Sequence, residues 1–235
     1  MPKSMVLERD GVDDGFAQRF GWALPEGSLV FIEGKEGTGK SVLCQRLCYS
    51  FLRNGYTCSY LSTQFTVKNF VRQTASIGYD IKKYLLKGSL FFVSTESTVG
   101  ETLPKKTFLD KFLTFKKLFD PEIIFIDSIS NLLHESLNKD NLIDLFNFFN
   151  RWKGVGKIII VTANPNEWDD YIHQKFKVNC DVHFELAVVE IPGIGPVNNV
   201  YIHKFNGAQH RYYPSTAFSV RPKVGVAIES THVAF

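Results

Sequence analysis

The stretch Gly34-Lys-Glu-Gly-Thr-Gly-Lys-Ser41 sets Gly34, Gly37 and Gly39 ahead of Lys40 and Ser41. That spacing, GxxxxGK[ST], is suited to holding phosphate. The glycines let the backbone curl until successive N–H groups point inward at anionic oxygens. Lys40 is then placed to reach the β- and γ-phosphates of a nucleoside triphosphate, and the Ser41 hydroxyl to ligate Mg²⁺. The nucleotide-binding set read from the motif is Gly34, Lys35, Glu36, Gly37, Thr38, Gly39, Lys40, Ser41 and Val42, with ATP or ADP and Mg²⁺ as its ligands.

Such a loop works with a carboxylate at the end of a second buried strand. Ile123-Ile-Phe-Ile-Asp127 offers one, followed by Ser128. The apolar run carries Asp127 to the strand's C-terminal edge, where ligands gather in open α/β sheets. Asp127 is expected to hold Mg²⁺ through a water, which makes Ser41 and Asp127 the metal pair.

Secondary structure must bring these two motifs side by side. Leu29-Val-Phe-Ile32 reads as a short buried strand directly before the loop, and a helix from Lys40 to about Asn54 directly after it. Further strands at 57–62, 90–93, 123–126 and 157–161 alternate with helical patterns at 67–77, 105–118 and 141–152. In the 105–118 pattern, Phe108, Phe112, Phe115 and Phe119 form one stripe, opposite Lys105, Lys106, Lys111, Lys116 and Lys117. Those lysines read as a solvated face, with a docking surface for an acidic partner as the alternative. From Asp181 onward the segments 182–190, 200–204 and 218–228 read as strands with no helices between them. The expected fold class is α/β in a single domain, 1–235: a mainly parallel twisted sheet with helices on both faces and antiparallel strands at its C-terminal edge.

Bulk properties set outer limits. The 235 residues are 44% hydrophobic, enough for one large core. A net charge of +3 does not by itself indicate a nucleic-acid binder. Cys44, Cys48, Cys58 and Cys180 lack the paired CxxC units of a zinc site and are expected to be buried and reduced, which points to an intracellular setting. No charged and apolar leader opens the sequence, and its apolar runs are too short to cross a bilayer, so neither a secretory signal nor membrane insertion is expected.

From about Gly11 to Glu229 the pattern resembles the RecA-like P-loop ATPases and, among them, the KaiC-like group. Leu24-Pro-Glu-Gly-Ser28 is similar to that group's LPxG lead-in, and Tyr201-Ile-His-Lys-Phe-Asn-Gly-Ala-Gln-His210 resembles its KxRGxxH signature. The phosphate loop, Ser62-Thr-Gln64 and Gly225-Val-Ala-Ile-Glu229 look like the archaellum motor-accessory branch of the group. The resemblance implies a cytoplasmic protein of archaeal origin, assembled as a hexameric ring and peripheral to a membrane-embedded motor complex. Its implied partners are the archaellum motor ATPase and the membrane platform.

Two departures from the family pattern concern catalysis. RecA-like and KaiC-like enzymes keep an acid after the second strand to polarise the attacking water. Here Gln64 occupies that position and Phe65 the next, so no catalytic residue is assigned. Glutamine orients a water without accepting its proton, and loss of a general base costs ~10²- to 10⁴-fold. Thr63 and Gln64 therefore form the γ-phosphate and water side of the expected site, and Glu36 and Glu96 are the substitute acids in sequence reach. In the signature, Lys204 and His210 are candidates to act across a subunit interface, whereas Asn206 replaces the family's arginine. Both departures remove catalysis and leave binding intact, which implies an ATP switch with slow or absent hydrolysis.

The alternatives are an active KaiC-like ATPase, an autokinase, and a RecA-like DNA-binding protein. The last would need a basic loop after the second carboxylate, but residues 129–138 contain no Lys or Arg, so no nucleic-acid partner is expected. Trp168-Asp169-Asp170 and the 192–196 turn read as ordinary loops or as exposed contact points.

Overall fold

The computed structural model describes residues 4–7, 15–95, 108–191, 193 and 195–229. Gly11, Glu96, Lys105, Lys106 and part of the 192–196 turn, all named above, lie outside the described residues. In chain order the elements are β1 (Ser4–Val6), α1 (Phe16–Arg19), β2 (Ala23–Pro25), β3 (Leu29–Gly34), α2 (Lys40–Arg53) and β4 (Cys58–Ser62). Then come α3 (Val67–Ser76), α4 (Lys82–Leu86), β5 (Leu90–Ser94), α5 (Phe108–Thr114), β6 (Ile123–Asp127), α6 (Ile129–Leu133) and α7 (Leu142–Gly154). The chain continues through β7 (Ile158–Ala163), α8 (Asp170–Asn179), β8 (Val182–Ile191), β9 (Gly195–Phe205), β10 (Ser215–Arg221) and β11 (Gly225–Ile228).

One sheet runs in the order β11-β10-β9-β8-β3-β7-β6-β4-β5, beside a small β1-β2 ribbon. The pairs from β8 to β5 are parallel, and β8-β9, β9-β10 and β10-β11 are antiparallel. Every residue of β3, β4, β6 and β7 is buried. Central parallel strands are covered on both faces, which is why their sequences are continuous apolar runs rather than alternating ones.

The two faces carry separate cores. One gathers Leu43, Leu47 and Phe51 of α2 with Tyr60, Phe70, Phe125, Phe184 and Phe218. The other joins Phe31, Ile124, Ile126 and Val161 to Phe112, Phe149 and Phe176. Side-chain oxygens cap several helix starts: Thr66 accepts from the Asn69 N–H, Ser128 from Asn131 and Asp169 from Tyr171. All four cysteines are free and buried, as expected.

Three expectations require correction. The helix expected over 105–118 is α5 followed, after a break at Phe115, by a 3₁₀ turn at Lys116–Phe119. The break separates phenylalanines that a continuous helix would keep on one stripe. Phe115 turns to Phe91 of the edge strand, while Phe119 stacks on Trp152. The segment 218–228 is a hairpin of two strands, because Lys223 and Gly225 adopt left-handed backbone in its turn. Asp169 and Asp170 open α8, and Trp168 packs on Phe176 at 4.6 Å between ring centroids, so that stretch belongs to the core boundary rather than to a free loop.

Candidate nucleotide site

The phosphate loop leaves β3 at Gly34 and enters α2 at Lys40. Gly39, with φ 89°, adopts left-handed backbone, and a Cβ there would lie 3.1 Å from the Phe218 ring. A Cβ on Gly34 would come within 2.6 Å of both the Leu186 carbonyl oxygen and the Thr38 hydroxyl. Glycine is thus demanded twice over, by backbone conformation and by strands β8 and β10 packed against the loop. No side chain caps the start of α2. Uncapped helix starts of this kind, with free N–H groups and the positive end of the dipole, suit an anion.

Lys40 Nζ donates to the carbonyls of Gly34 at 2.7 Å and Lys35 at 2.8 Å, two oxygens within the loop itself. Burial pulls the pKa of this ammonium below its ordinary value, and the negative charges of Asp127 and Glu167 act against that shift.

Asp127 ends β6 and is 3% exposed. Its Oδ1 accepts from Ser41 at 3.2 Å and Thr162 at 2.7 Å, and its Oδ2 accepts from the Tyr60 hydroxyl at 2.7 Å. Burial, reinforced by the Asp127 charge, raises the Tyr60 pKa well above the phenolic norm, so Tyr60 donates as a neutral group. Ser41 and Asp127 make an all-oxygen pair at the mouth of a phosphate loop. That donor chemistry fits Mg²⁺, which takes one or two protein oxygens together with phosphate oxygens and waters.

Thr63 and Gln64 lie at the end of β4. The Thr63 N–H donates to the Asp127 carbonyl at 2.8 Å, and its hydroxyl accepts from the Ser128 N–H at 3.2 Å. Gln64 is exposed and lines an open groove of ≈ 390 Å³ with Phe65, Asn69, Arg72 and Gln73. Two strands, β7 and β6, separate β4 from β3. Of the acids named as substitutes, Glu36 is exposed on the loop.

Lys204 and His210 are not brought to this loop within the subunit. Lys204 sits in β9 opposite His183, which pairs with Phe31, three residues short of Gly34. Its ammonium donates to the carbonyls of Val178 at 3.0 Å and Cys180 at 2.5 Å, holding the C-terminal end of α8. His210 and Asn206 are exposed.

The motifs missed several residues of the site. Tyr60, Thr162, Ser128, Ser130 and Glu167 all lie on or just beyond β4, β6 and β7. Ser128 and Ser130 are 2.8 Å apart, Ser130 donates to Glu167 at 2.5 Å, and the Asn164 N–H donates to Ser130 at 2.9 Å. One signal was available: polar residues at the C-terminal ends of parallel strands gather at the ligand crevice. On the opposite face of β3 the buried Glu33 carboxylate accepts from His173, from His183 at 2.6 Å and from Lys177 at 2.9 Å. Burial alone would raise its pKa, but these three donors outweigh burial and hold it well below the carboxylate range.

Comparison with known proteins places this geometry in a family. The family model described as the KaiC ATPase matches residues 11–230. The chain is 37% identical over 228 residues to the archaeal flagellar ATP-binding protein FlaH of Methanocaldococcus jannaschii, covering 97% of this chain and 96% of the relative. It is 34% identical to FlaH of Methanococcus voltae, with 97% of each chain covered. The crystal structure of the flagellar accessory protein FlaH from M. jannaschii superimposes with TM-score 0.88 at 35% identity, over 98% of this chain and 100% of the other. A KaiC-like protein from Pyrococcus horikoshii, 19% identical, shares the fold with TM-score 0.72 over 98% and 99% of the two chains. The chain belongs to the KaiC family of ATPases and, within it, to the FlaH group.

Proposed function

We propose that this protein is an ATP-binding accessory component of the archaeal flagellar motor, in which Mg-ATP acts as a switch for ring assembly and partner binding, with slow or absent hydrolysis. The observation that carries this reading is one juxtaposition. Lys40, Ser41 and Asp127 converge on a phosphate loop, while the strand end that holds the family's acid presents the exposed Gln64. Binding groups are complete and the water-activating group at that strand end is not. Mg²⁺, when bound by Ser41 and by Asp127 through a water, supplies charge neutralisation for the phosphates.

The names of the FlaH relatives support flagellar association and ATP binding. Among the described residues no helix is long and apolar enough to cross a membrane, which agrees with a peripheral place in the motor. A ligand that bridges two subunits stabilises their ring by linkage, and loss of γ-phosphate contacts loosens it. The motor ATPase and the membrane platform are the partners of this reading.

The test is to incubate the purified protein with Mg²⁺ and labelled ATP, re-isolate it, and identify the retained nucleotide over several hours. Intact ATP retained by the wild type and lost in Lys40→Ala is the expected result. Steady release of ADP and phosphate at several turnovers a minute would overturn the switch.

A further inference from the structure

We propose that Glu167 is the remote proton acceptor for slow hydrolysis at this site, reached through the Ser128–Ser130 pair, so that the chain Ser128–Ser130–Glu167 times the switch. The inference rests on the ATP-binding reading above and supplies the carboxylate that the end of β4 lacks.

Topology places the acid. β7 lies between the phosphate-loop strand β3 and the Asp127 strand β6, whereas β4 lies beyond β6. Glu167 therefore follows the strand next to the phosphate-loop strand, whereas Gln64 follows a strand separated from it by two others. Glu167 closes the short turn Pro165–Glu167 that follows Asn164. Its Oε2 accepts from Ser130 at 2.5 Å, and Ser130 meets Ser128 at 2.8 Å. Ser128 directly follows Asp127, and its N–H donates to Thr63 beside Gln64. The hydroxyl chain thus begins at the residue after Asp127 and ends at a carboxylate. The Glu167 charge, after that of Asp127, also acts to hold the Lys40 ammonium protonated against its burial.

The other end of the chain is open to solvent. Glu167 lines a groove of ≈ 310 Å³ with Asn131, Leu132, His134 and Glu135. Among the described residues, the titratable groups that line this groove with it are His134 and Glu135, just past α6.

The step balances. A water oxygen bonds to the γ-phosphorus as the bond from that phosphorus to the β–γ bridging oxygen breaks, and ADP leaves with the electron pair. The water's proton passes to Ser128, the Ser128 proton to Ser130, and the Ser130 proton to Glu167, which releases it into the groove. A base that acts through two hydroxyls is slower than one that touches the water, in keeping with a timer.

The test measures Mg-ATP affinity by calorimetry and hydrolysis of bound ATP in single turnovers, as a function of pH, on the full chain. Glu167→Gln should hydrolyse bound ATP ~10²-fold more slowly and lose the wild type's fall in rate toward acid. Glu167→Asp should restore part of the rate, and Ser130→Ala should mimic Glu167→Gln. Normal binding with an unchanged rate and pH profile in Glu167→Gln overturns the inference, as does a wild type that binds ATP and never hydrolyses it. Failure of the wild type to bind ATP instead removes the ATP-binding reading itself.

Discussion

At the residue scale, the site is a meeting of hydroxyls on one carboxylate. Ser41 and Asp127, 86 positions apart, are brought within 3.2 Å, and Tyr60 and Thr162 donate to the same carboxylate. Hydrogen bonds to a charged group are worth about 1.5–3 kcal/mol each. Tyr60→Phe should therefore lower stability by about that amount and raise the Mg²⁺ concentration needed for ATP binding; chemical denaturation and a Mg²⁺ titration check both effects. Gln64→Glu should restore an acid at the family's position and speed single-turnover hydrolysis by ~10²-fold. An unchanged rate would show that the end of β4, two strands removed from the loop strand, is too far from the water in this chain. Lys40, Ser41 and Asp127 were legible in the sequence because each sits in a local motif with fixed spacing. Tyr60, Thr162 and Glu167 were not, because no motif marks them and strand order is needed to know which polar residues near strand ends come together.

At the scale of elements, β3 is held from both sides. Phe218 of β10 touches Gly39 in the loop, and beneath β3 the Glu33 cluster ties the strand to α8 and β8. The Glu33 pKa is lower in the folded chain than in the unfolded one. A group with that sign contributes its full stabilisation above the unfolded value of ~4.3 and loses it progressively as pH falls below that value. Wild-type stability should accordingly decline between pH 5 and more acidic conditions, roughly where glutamate titrates in unfolded chains. Glu33→Gln should be destabilised by about 3 kcal/mol at pH 7 and show a shallower acid decline. Urea midpoints at neutral and acid pH measure both. Equal slopes in the two proteins would show that other carboxylates govern the acid limb. The parallel strands were readable as apolar runs, and α2 as a helix stopped before Gly55. The break at Phe115 was not, since two tertiary destinations, Phe91 and Trp152, compete for one helical stripe.

At the scale of the whole molecule, binding should appear as stability. A ligand at 100 times its dissociation constant stabilises the folded state by about 2.7 kcal/mol. For a chain of this size that corresponds to a Tm increase of roughly 5–10 °C. Mg-ATP should give this shift in the wild type and none in Lys40→Ala by scanning fluorimetry. The same nucleotide should move the wild type toward a larger species in sedimentation velocity if the ring is linked to γ-phosphate contacts, with ADP less effective. Identical profiles with ATP, ADP and no nucleotide would detach assembly from the switch.

The sequence by itself determined the α/β class, the parallel core with its antiparallel edge, and the phosphate loop with the Asp127 that Ser41 meets. Each depends on short-range patterning: apolar runs of strand length, glycines at fixed offsets, an acid at the end of a buried strand. Only the tertiary structure decided which side chains meet around Asp127 and that a chain of hydroxyls beside it ends at Glu167. Gln64 follows β4 and lines an open groove, while Glu167, distant in sequence, follows β7, the strand inserted between β3 and β6. Lys204 likewise reads as a reaching cation in its motif, yet in the fold its ammonium satisfies the end of α8. Strand order is set by long-range packing of two cores on one sheet, and no local pattern of residues encodes it.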